Sequence, residues 1–395
     1  MMSKFAETAS PDVVLFSKGG RDFRIERLSG GQEVPREFFY GYFDLAETGT
    51  PTAMRSTAGR RPGTAGFVYD LAERAFARAT ALGVKPLSAR LMAKGVDGAK
   101  VLISFTDGFS LSMGLGFPTR NGLPVLIGGF HGLSDIEGRS HERSRPLVRR
   151  LIARSLAALD HVFFFGPADR EVAIERYGLP REKSSIFTFG VDTHFWRPLP
   201  DEPVEDFVTA IGQDLNRDYD LLAAAPGRHP TRIVTRQKVK IPAGADHVKT
   251  SVGDFFGSDA MTDEDLRRLY NRSAAVIVPL KDVFQPSGYS VTLQAMSCGK
   301  PVILSDIKGL WTKTKLRHDE NCILVPPHDA AALGAAIARV RGDADLRARL
   351  GAAARATALQ EFGLKQVGAA TIGLARLGLE LYARKTAPRA AIAAA

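Results

Sequence analysis

The chain has 395 residues, 45% hydrophobic and 24% charged, which excludes a disordered or collagen-like polymer and leaves room for two domains with their own cores. Its 53 Lys and Arg outnumber its 43 Asp and Glu, and the net charge of +10 suits nucleic acid, an anionic membrane surface or a phosphorylated small molecule without choosing among them. Only Cys298 and Cys322 are present, outside any CxxC or Cys/His cluster, which argues for a reduced compartment and against a structural zinc site.

The start, Met1-Met2-Ser3-Lys4-Phe5-Ala6-Glu7, lacks the apolar core of a signal peptide. No apolar run reaches the roughly 18 residues that span a bilayer. The expected location is cytoplasmic, either soluble or peripheral at the inner membrane face. Residues 1–10 read as a loose tail. Val13-Val14-Leu15-Phe16 is a buried-type strand that runs into Ser17-Lys18-Gly19-Gly20, a glycine loop that suits either a tight turn or a ligand. Leu71, Ala75, Ala79 and Leu82 recur at helical spacing over 70–82.

Lys100-Val101-Leu102-Ile103-Ser104 and Pro124-Val125-Leu126-Ile127 predict two more strands. They are followed by Thr106-Asp107-Gly108 and by Gly128-Gly129-Phe130-His131-Gly132. Pro146 starts a helix whose apolar side is Leu147, Val148, Leu151, Ile152 and Leu156. Arg139, Arg143, Arg145, Arg149, Arg150 and Arg154 make this the most basic stretch of the chain. It reads either as a solvated helix face or as a contact for an anionic membrane surface. His161-Val162-Phe163-Phe164-Phe165 and Ser185-Ile186-Phe187-Thr188 close a first set of short strands alternating with helices, the pattern of a covered parallel sheet.

Arg197-Pro198-Leu199-Pro200-Asp201-Glu202-Pro203 reads as an interdomain linker. The alternation then restarts, with strands at 206–211, 232–235, 275–278, 302–304 and 321–325. Helices are expected at 218–225, 263–270 and 289–298, and after Asp329, a good N-cap. The predicted domains are 1–198, 199–370 and a C-terminal helix with a disordered tail at 371–395. No internal repeat is seen.

Ligands of open α/β sheets bind beyond the carboxyl ends of strands, so the loops there carry the functional reading. In the second half they are Gly212-Gln213-Asp214-Leu215-Asn216-Arg217, Thr235-Arg236, and Lys281 onward to Ser287-Gly288. Gly288 lets the backbone approach a ligand closely, and the helix it opens aims unsatisfied N–H groups and a positive dipole end at an anion. A diphosphate fits one helix N-terminus and several cations. Asp218-Tyr219-Asp220 matches a D-x-D metal-nucleotide signature, but two Asp at a helix start have an ordinary capping explanation.

Pro286-Ser287-Gly288-Tyr289-Ser290-Val291-Thr292-Leu293-Gln294-Ala295-Met296-Ser297-Cys298-Gly299-Lys300-Pro301-Val302 resembles the donor-binding motif of retaining glycosyltransferases of family four. Asn321-Cys322-Ile323-Leu324-Val325-Pro326-Pro327-His328-Asp329 resembles the family's segment that ends in Val-Pro-Pro-x-Asp, and Tyr177-Gly178-Leu179-Pro180 and Phe189-Gly190-Val191-Asp192-Thr193-His194-Phe195 resemble its run into the interdomain linker. The likeness is strong in the second half and thin before residue 100. It implies an α/β GT-B fold, two Rossmann-like domains facing across a cleft. It also implies transfer of a sugar from a nucleotide diphosphate, with retained configuration, to a glycan or lipid-linked acceptor, with no metal and no cofactor.

By resemblance, Arg217 binds the donor diphosphate and serves catalysis, and His131 lines the cleft near the reacting sugar. Lys281 or Arg236 supplies a second cation, since Gln213 stands near the position where the family has one. Ser287, Gly288, Tyr289, Ser290 and Val291 meet sugar and phosphate. Apart from the resemblance, the strand-end loop with Gly19 and Gly20 either contributes to the donor site from the first domain or forms only a tight turn. Gln294 stands where the family has a Glu for the ribose hydroxyls, and Pro286 where it has a Glu for the sugar. Two other classes fit less of the chain: a nucleotide-sugar binding or scaffold protein that lost catalysis with those carboxylates, and a basic nucleic-acid binder.

Overall fold

Parallel strands separated by helices build two sheets in the computed structural model of the chain, which describes residues 10–19, 22–57, 63–96, 98–117, 123–252 and 261–387. The expected loose ends fall largely outside these ranges, as does Gly20. One compact unit comprises 1–32, 38–187 and 367–395, and the other 33–37 and 188–366.

The first sheet contains β1 (Val13–Ser17), β2 (Thr52–Ser56), β3 (Val101–Ser104), β4 (Val125–Phe130), β5 (His161–Phe164) and β6 (Ser184–Ile186). Their order is β2-β1-β3-β4-β5-β6, and every pairing is parallel. Strand alternation sends Val14, Phe16, Leu102, Leu126 and Val162 into one core with Leu111, Met113, Ile152 and Leu156. On the opposite face, Val101 and Ile127 meet Gly378 of helix Leu364–Thr386, where a Cβ would lie 2.4 Å from a Val101 methyl. Both faces are thus covered, and the central strands are apolar throughout for that reason. Each fully buried Leu, Ile or Phe contributes about 1.5–3 kcal/mol of transfer free energy.

The second sheet contains β7 (Val208–Ile211), β8 (Thr231–Val234), β9 (Val248–Ser251), β10 (Ala275–Val278), β11 (Val302–Ser305) and β12 (Ile323–Val325). Its order is β12-β11-β10-β7-β8-β9, again all parallel. This is the doubly wound order in which the chain reverses direction between β7 and β10, the place where such sheets open a crevice beyond their carboxyl ends. In the first sheet the reversal falls between β1 and β3.

The predicted linker at 197–203 is not the boundary between the units, which falls at 187–188. Val191, Phe195 and Trp196 are buried, and the Val191 N–H donates to the Phe362 carbonyl at 2.7 Å, so this segment folds with the second unit. Residues 33–37 join the same unit. The terminal helix packs on the first unit instead, where Thr371 Oγ1 donates to the Tyr40 carbonyl at 2.7 Å and Lys385 pairs with Asp160. Cys298 and Cys322 are separate buried thiols, each pushed up to about 12 by burial. Among the described residues no helix is long and apolar enough to cross a membrane, and no group of His, Cys, Asp and Glu could hold a metal ion.

Candidate functional site

Beyond the carboxyl ends of β7 and β10 two loops zip together. The Lys281 N–H donates to the Asn216 carbonyl and the Asp218 N–H to the Pro279 carbonyl, both at 2.9 Å. Asp214 forms the turn that precedes Arg217. Its carboxylate accepts from the Asn216 N–H at 3.0 Å, and its carbonyl accepts from the Arg217 N–H at 3.0 Å. Asn216 Nδ2 then reaches across to Gln285 Oε1 at 3.1 Å and Ser287 Oγ at 3.3 Å. The segment before Gly288 is therefore fixed by side chains from the loop after β7.

Glycine is required at both walls of the site. Gly212 has φ +144° and Gly288 φ +85°, backbone conformations that side chains oppose. A Cβ on Gly212 would lie 2.9 Å from Arg217 Nε, and one on Gly288 would lie 3.3 Å from Arg217 Nη1 and 2.7 Å from a Val278 methyl. The Arg217 guanidinium lies between these two turns. It is 5% exposed, and its buried Nε and Nη1 have no hydrogen-bond partner. A buried cation in this state costs several kcal/mol unless an anion joins it.

Helix Tyr289–Ser297 begins beside this guanidinium, with Gly288 at its N-cap and no side-chain cap. Elsewhere in the unit the sequence caps its helices. Thr262 and Asp265 form a capping box, and Asp218, Asp329 and Asp343 accept from the first turns of their helices. The unsatisfied N–H groups of one helix and an unpartnered guanidinium thus meet at one point, the arrangement that binds phosphate. Tyr289 is fixed by edge contacts to Phe189 at 4.5 Å and Trp311 at 6.2 Å between ring centroids.

The structure brings Arg217, Ser287, Gly288, Tyr289, Ser290 and Val291 together, as their places in the sequence imply. Lys281 lies on the adjoining loop, exposed, with Nζ donating to the Leu215 carbonyl at 3.1 Å. The Arg236 N–H is held by Gln213 Oε1 at 2.7 Å, which ties the loop after β8 to the loop after β7.

Gln294 is placed differently from a side chain offered to solvent. It is 5% exposed, its Oε1 accepts from the Tyr270 hydroxyl, and its Nε2 donates to Glu37 Oε1, both at 3.2 Å. Glu37 Oε1 also accepts from the Trp196 indole at 2.6 Å, and its Oε2 from the Asp192 N–H at 3.1 Å. Burial pushes the Glu37 carboxyl up to about 7, against the pull of the Trp196 hydrogen bond. Glu37 escapes sequence reasoning because no motif surrounds it, and only the folding of 33–37 onto the second unit brings it to the helix.

In the first unit, His131 follows β4. Its Nε2 is 2.9 Å from the Phe105 carbonyl, and its ring stacks on Phe165 at 3.8 Å. Asp107 Oδ1 accepts from the His131 and Gly132 N–H groups at 2.9 and 3.0 Å and so sets the turn. Asp169 accepts in the same way from Leu133 and Ser134, and burial pushes its carboxyl up to about 7. Lys18, Gly19, Thr106, Asp107 and Gly108 line a cavity of about 800 Å³ at the reversal between β1 and β3. His131 does not line this cavity.

Residues 198–343 match the family model of glycosyl transferases group 1. An alpha-maltose-1-phosphate synthase of Mycolicibacterium smegmatis is 24% identical over 265 residues, 59% of this chain and 65% of that protein, so the chain spans just under two thirds of that relative. Among solved structures, the sucrose-phosphate synthase of Thermosynechococcus elongatus superposes with TM-score 0.63 at 18% identity, over 95% of this chain and 100% of that one. Anabaena HepE, solved in complex with UDP-glucose, gives TM-score 0.62 at 14% identity, over 91% and 98% of the two chains. The chain has the GT-B fold, and its second Rossmann-like unit contains the segment that matches the group 1 glycosyl transferases.

Proposed function

We propose that the protein is a retaining glycosyltransferase that takes its sugar from a nucleotide diphosphate. The observation that carries the reading is the Arg217 guanidinium, buried between Gly212 and Gly288 with Nε and Nη1 unpartnered, beside an uncapped helix N-terminus. A diphosphate supplies the missing acceptors. HepE is a GT-B protein solved with UDP and with UDP-glucose, which supports a nucleotide-sugar as the ligand class.

In the proposed reaction the bond from the anomeric carbon to the phosphate oxygen breaks, and a bond from that carbon to an acceptor oxygen forms on the same face. The acceptor proton passes to the leaving phosphate. Negative charge grows on the diphosphate as the bond stretches, so Arg217 and the N–H groups from Gly288 to Val291 stabilise the transition state more than the ground state, while the Ser287 N–H is already held by the Gln285 carbonyl at 2.8 Å. Neither a resident metal nor a cofactor is assigned. The acceptor, a glycan or a lipid-linked glycan, is assigned to the first unit, where Lys18 and Asp107 line a cavity; His131 is assigned to the reacting sugar and Gly19 to the donor. A ribose contact through Gln294 would require its amide to leave Glu37 or Tyr270. The second reading is a protein that binds a nucleotide-sugar without turnover.

Thermal-shift titration with nucleotide diphosphates and their sugars tests the donor assignment. A ligand at about a hundred times its Kd stabilises by about 2.7 kcal/mol. Stabilisation by one nucleotide series, lost in Arg217→Met, is expected, together with release of that nucleotide when acceptor is added. Indifference to every nucleotide diphosphate refutes the reading. Tight binding with no hydrolysis or transfer assigns the protein to the second one.

A further inference from the structure

Helix Gly63–Thr80 is polarised the wrong way round for a helix on a soluble surface. Phe67, Val68 and Leu71 are 72%, 58% and 61% exposed. The carboxylates of the same helix are engaged by the protein. Glu73, 4% exposed, accepts from the Ser88 N–H at 2.8 Å and from Ser88 Oγ at 2.5 Å, and Asp70 pairs with Arg74 at 2.7 Å. Phe67, Leu71, Arg74 and Arg78 fall at intervals of four, three and four, which places them on one outward stripe. Solitary exposed apolar residues need no explanation, but three within five residues on one helix do.

The basic stretch is fastened to the end of this helix. The His141 N–H and Ser144 Oγ both donate to the Thr80 carbonyl at 3.3 Å. From there helix Arg145–Ala158 begins, and Arg143, Arg145, Arg150 and Arg154 are exposed with no acidic partner among the described residues. Arg149, by contrast, is taken by Glu137 at 2.6 Å. Between the two helices runs a groove of about 340 Å³, lined by Phe76, Leu115 and Leu151 with Arg154 at its side.

We propose that this face docks the protein on an anionic lipid bilayer. Phe67, Val68 and Leu71 enter the acyl boundary, and the arginines bind headgroup phosphates. Exposed apolar side chains on one helix and unpaired arginines on the segment fastened to its end match a bilayer interface, which is apolar within and anionic at its surface. Nucleic acid would reward the charge and leave Val68 and Leu71 in water. Phe67 and Leu71 also line the 800 Å³ cavity, so docking presents that cavity to a lipid-anchored molecule.

The test is co-sedimentation of the full chain with vesicles, without donor or acceptor, so that it is independent of the transfer reading. Wild type is expected to sediment with vesicles rich in phosphatidylglycerol and to stay in solution with phosphatidylcholine alone. Phe67→Ser/Leu71→Ser should weaken binding at least tenfold. Arg143→Ala/Arg145→Ala/Arg150→Ala should weaken it by about fivefold per arginine. All these side chains are exposed, so unchanged circular dichroism and melting should accompany both variants. Wild type remaining in solution with anionic vesicles overturns the proposal. So does a serine variant that sediments like wild type, or a wild-type dimer that the serine variant dissolves.

Discussion

Arg217→Met separates binding from folding in a way few substitutions of a buried arginine do. Truncating a buried ion-paired arginine strands its partner and costs about 3–5 kcal/mol. Here nothing is stranded, because Nε and Nη1 have no partner. Methionine removes two unsatisfied polar atoms and keeps most of the side-chain volume. At about 1–3 kcal/mol for a buried unsatisfied group, the ligand-free protein should gain at least 1 kcal/mol. For a unit of this size that raises Tm by about 2–4 °C per kcal/mol. Two charge-assisted hydrogen bonds to a diphosphate are lost, at about 1.5–3 kcal/mol each, so nucleotide affinity should fall by at least a hundredfold. Differential scanning fluorimetry with and without nucleotide reads both effects on one sample. A Tm that falls in the ligand-free variant, with nucleotide stabilisation intact, would show that Arg217 is structural and that the phosphate site lies elsewhere.

Gly288→Ala forces an alanine into φ +85° and sets a Cβ 2.7 Å from Val278; with about 1–2 kcal/mol for the left-handed backbone alone, urea titration should show a loss of about 2–4 kcal/mol and fluorimetry no nucleotide response. Glu37, raised to about 7 from 4.5, holds its proton in the folded state after the unfolded chain has lost its own. Its contribution is therefore complete below about pH 4.5 and is lost as pH rises to 7, at up to about 1.4 kcal/mol per pH unit. Urea midpoints of wild type minus Glu37→Gln should reproduce that slope, and a flat difference would refute it. Gln294→Glu places a second carboxylate 3.2 Å from Glu37 and should destabilise by about 2–4 kcal/mol at pH 8 and by less at pH 5; equal losses at the two pH values would show that the carboxylates do not meet.

The central strands were legible because they are buried on both faces. Runs such as Ala275-Val276-Ile277-Val278 have no other use, and all four residues are buried as β10. The edge strands β2 and β9 were not foreseen. Thr52-Ala53-Met54-Arg55-Ser56 and Val248-Lys249-Thr250-Ser251 carry few apolar residues, since an edge needs little burial, and three of the four β9 residues are exposed. The boundary between the units was misplaced because prolines mark a bend in the chain, whereas the units are divided by packing. Trp196, next to those prolines, is fully buried with the second unit.

The proposed phosphate end of the site has a local basis in the sequence. Gly288 and the helix it opens are contiguous in sequence, and a helix N-terminus acts through backbone that any sequence exposes there. Arg217 could be placed because the loop after β7 must reach the same crevice as the loop after β10. Position 294 had no such protection. A Gln in a motif invites the reading that it faces the ligand, yet which way an amide turns depends on what else is buried beside it. Here that is Glu37, 257 residues away in sequence. A buried acid near neutrality can accept from an amide and cannot share the space with a second carboxylate. The residue type at 294 is therefore explained as well by Glu37 as by any ligand. If that explanation is right, Glu37 and position 294 should be changed together: Glu37→Gln/Gln294→Glu should recover stability that Gln294→Glu loses alone.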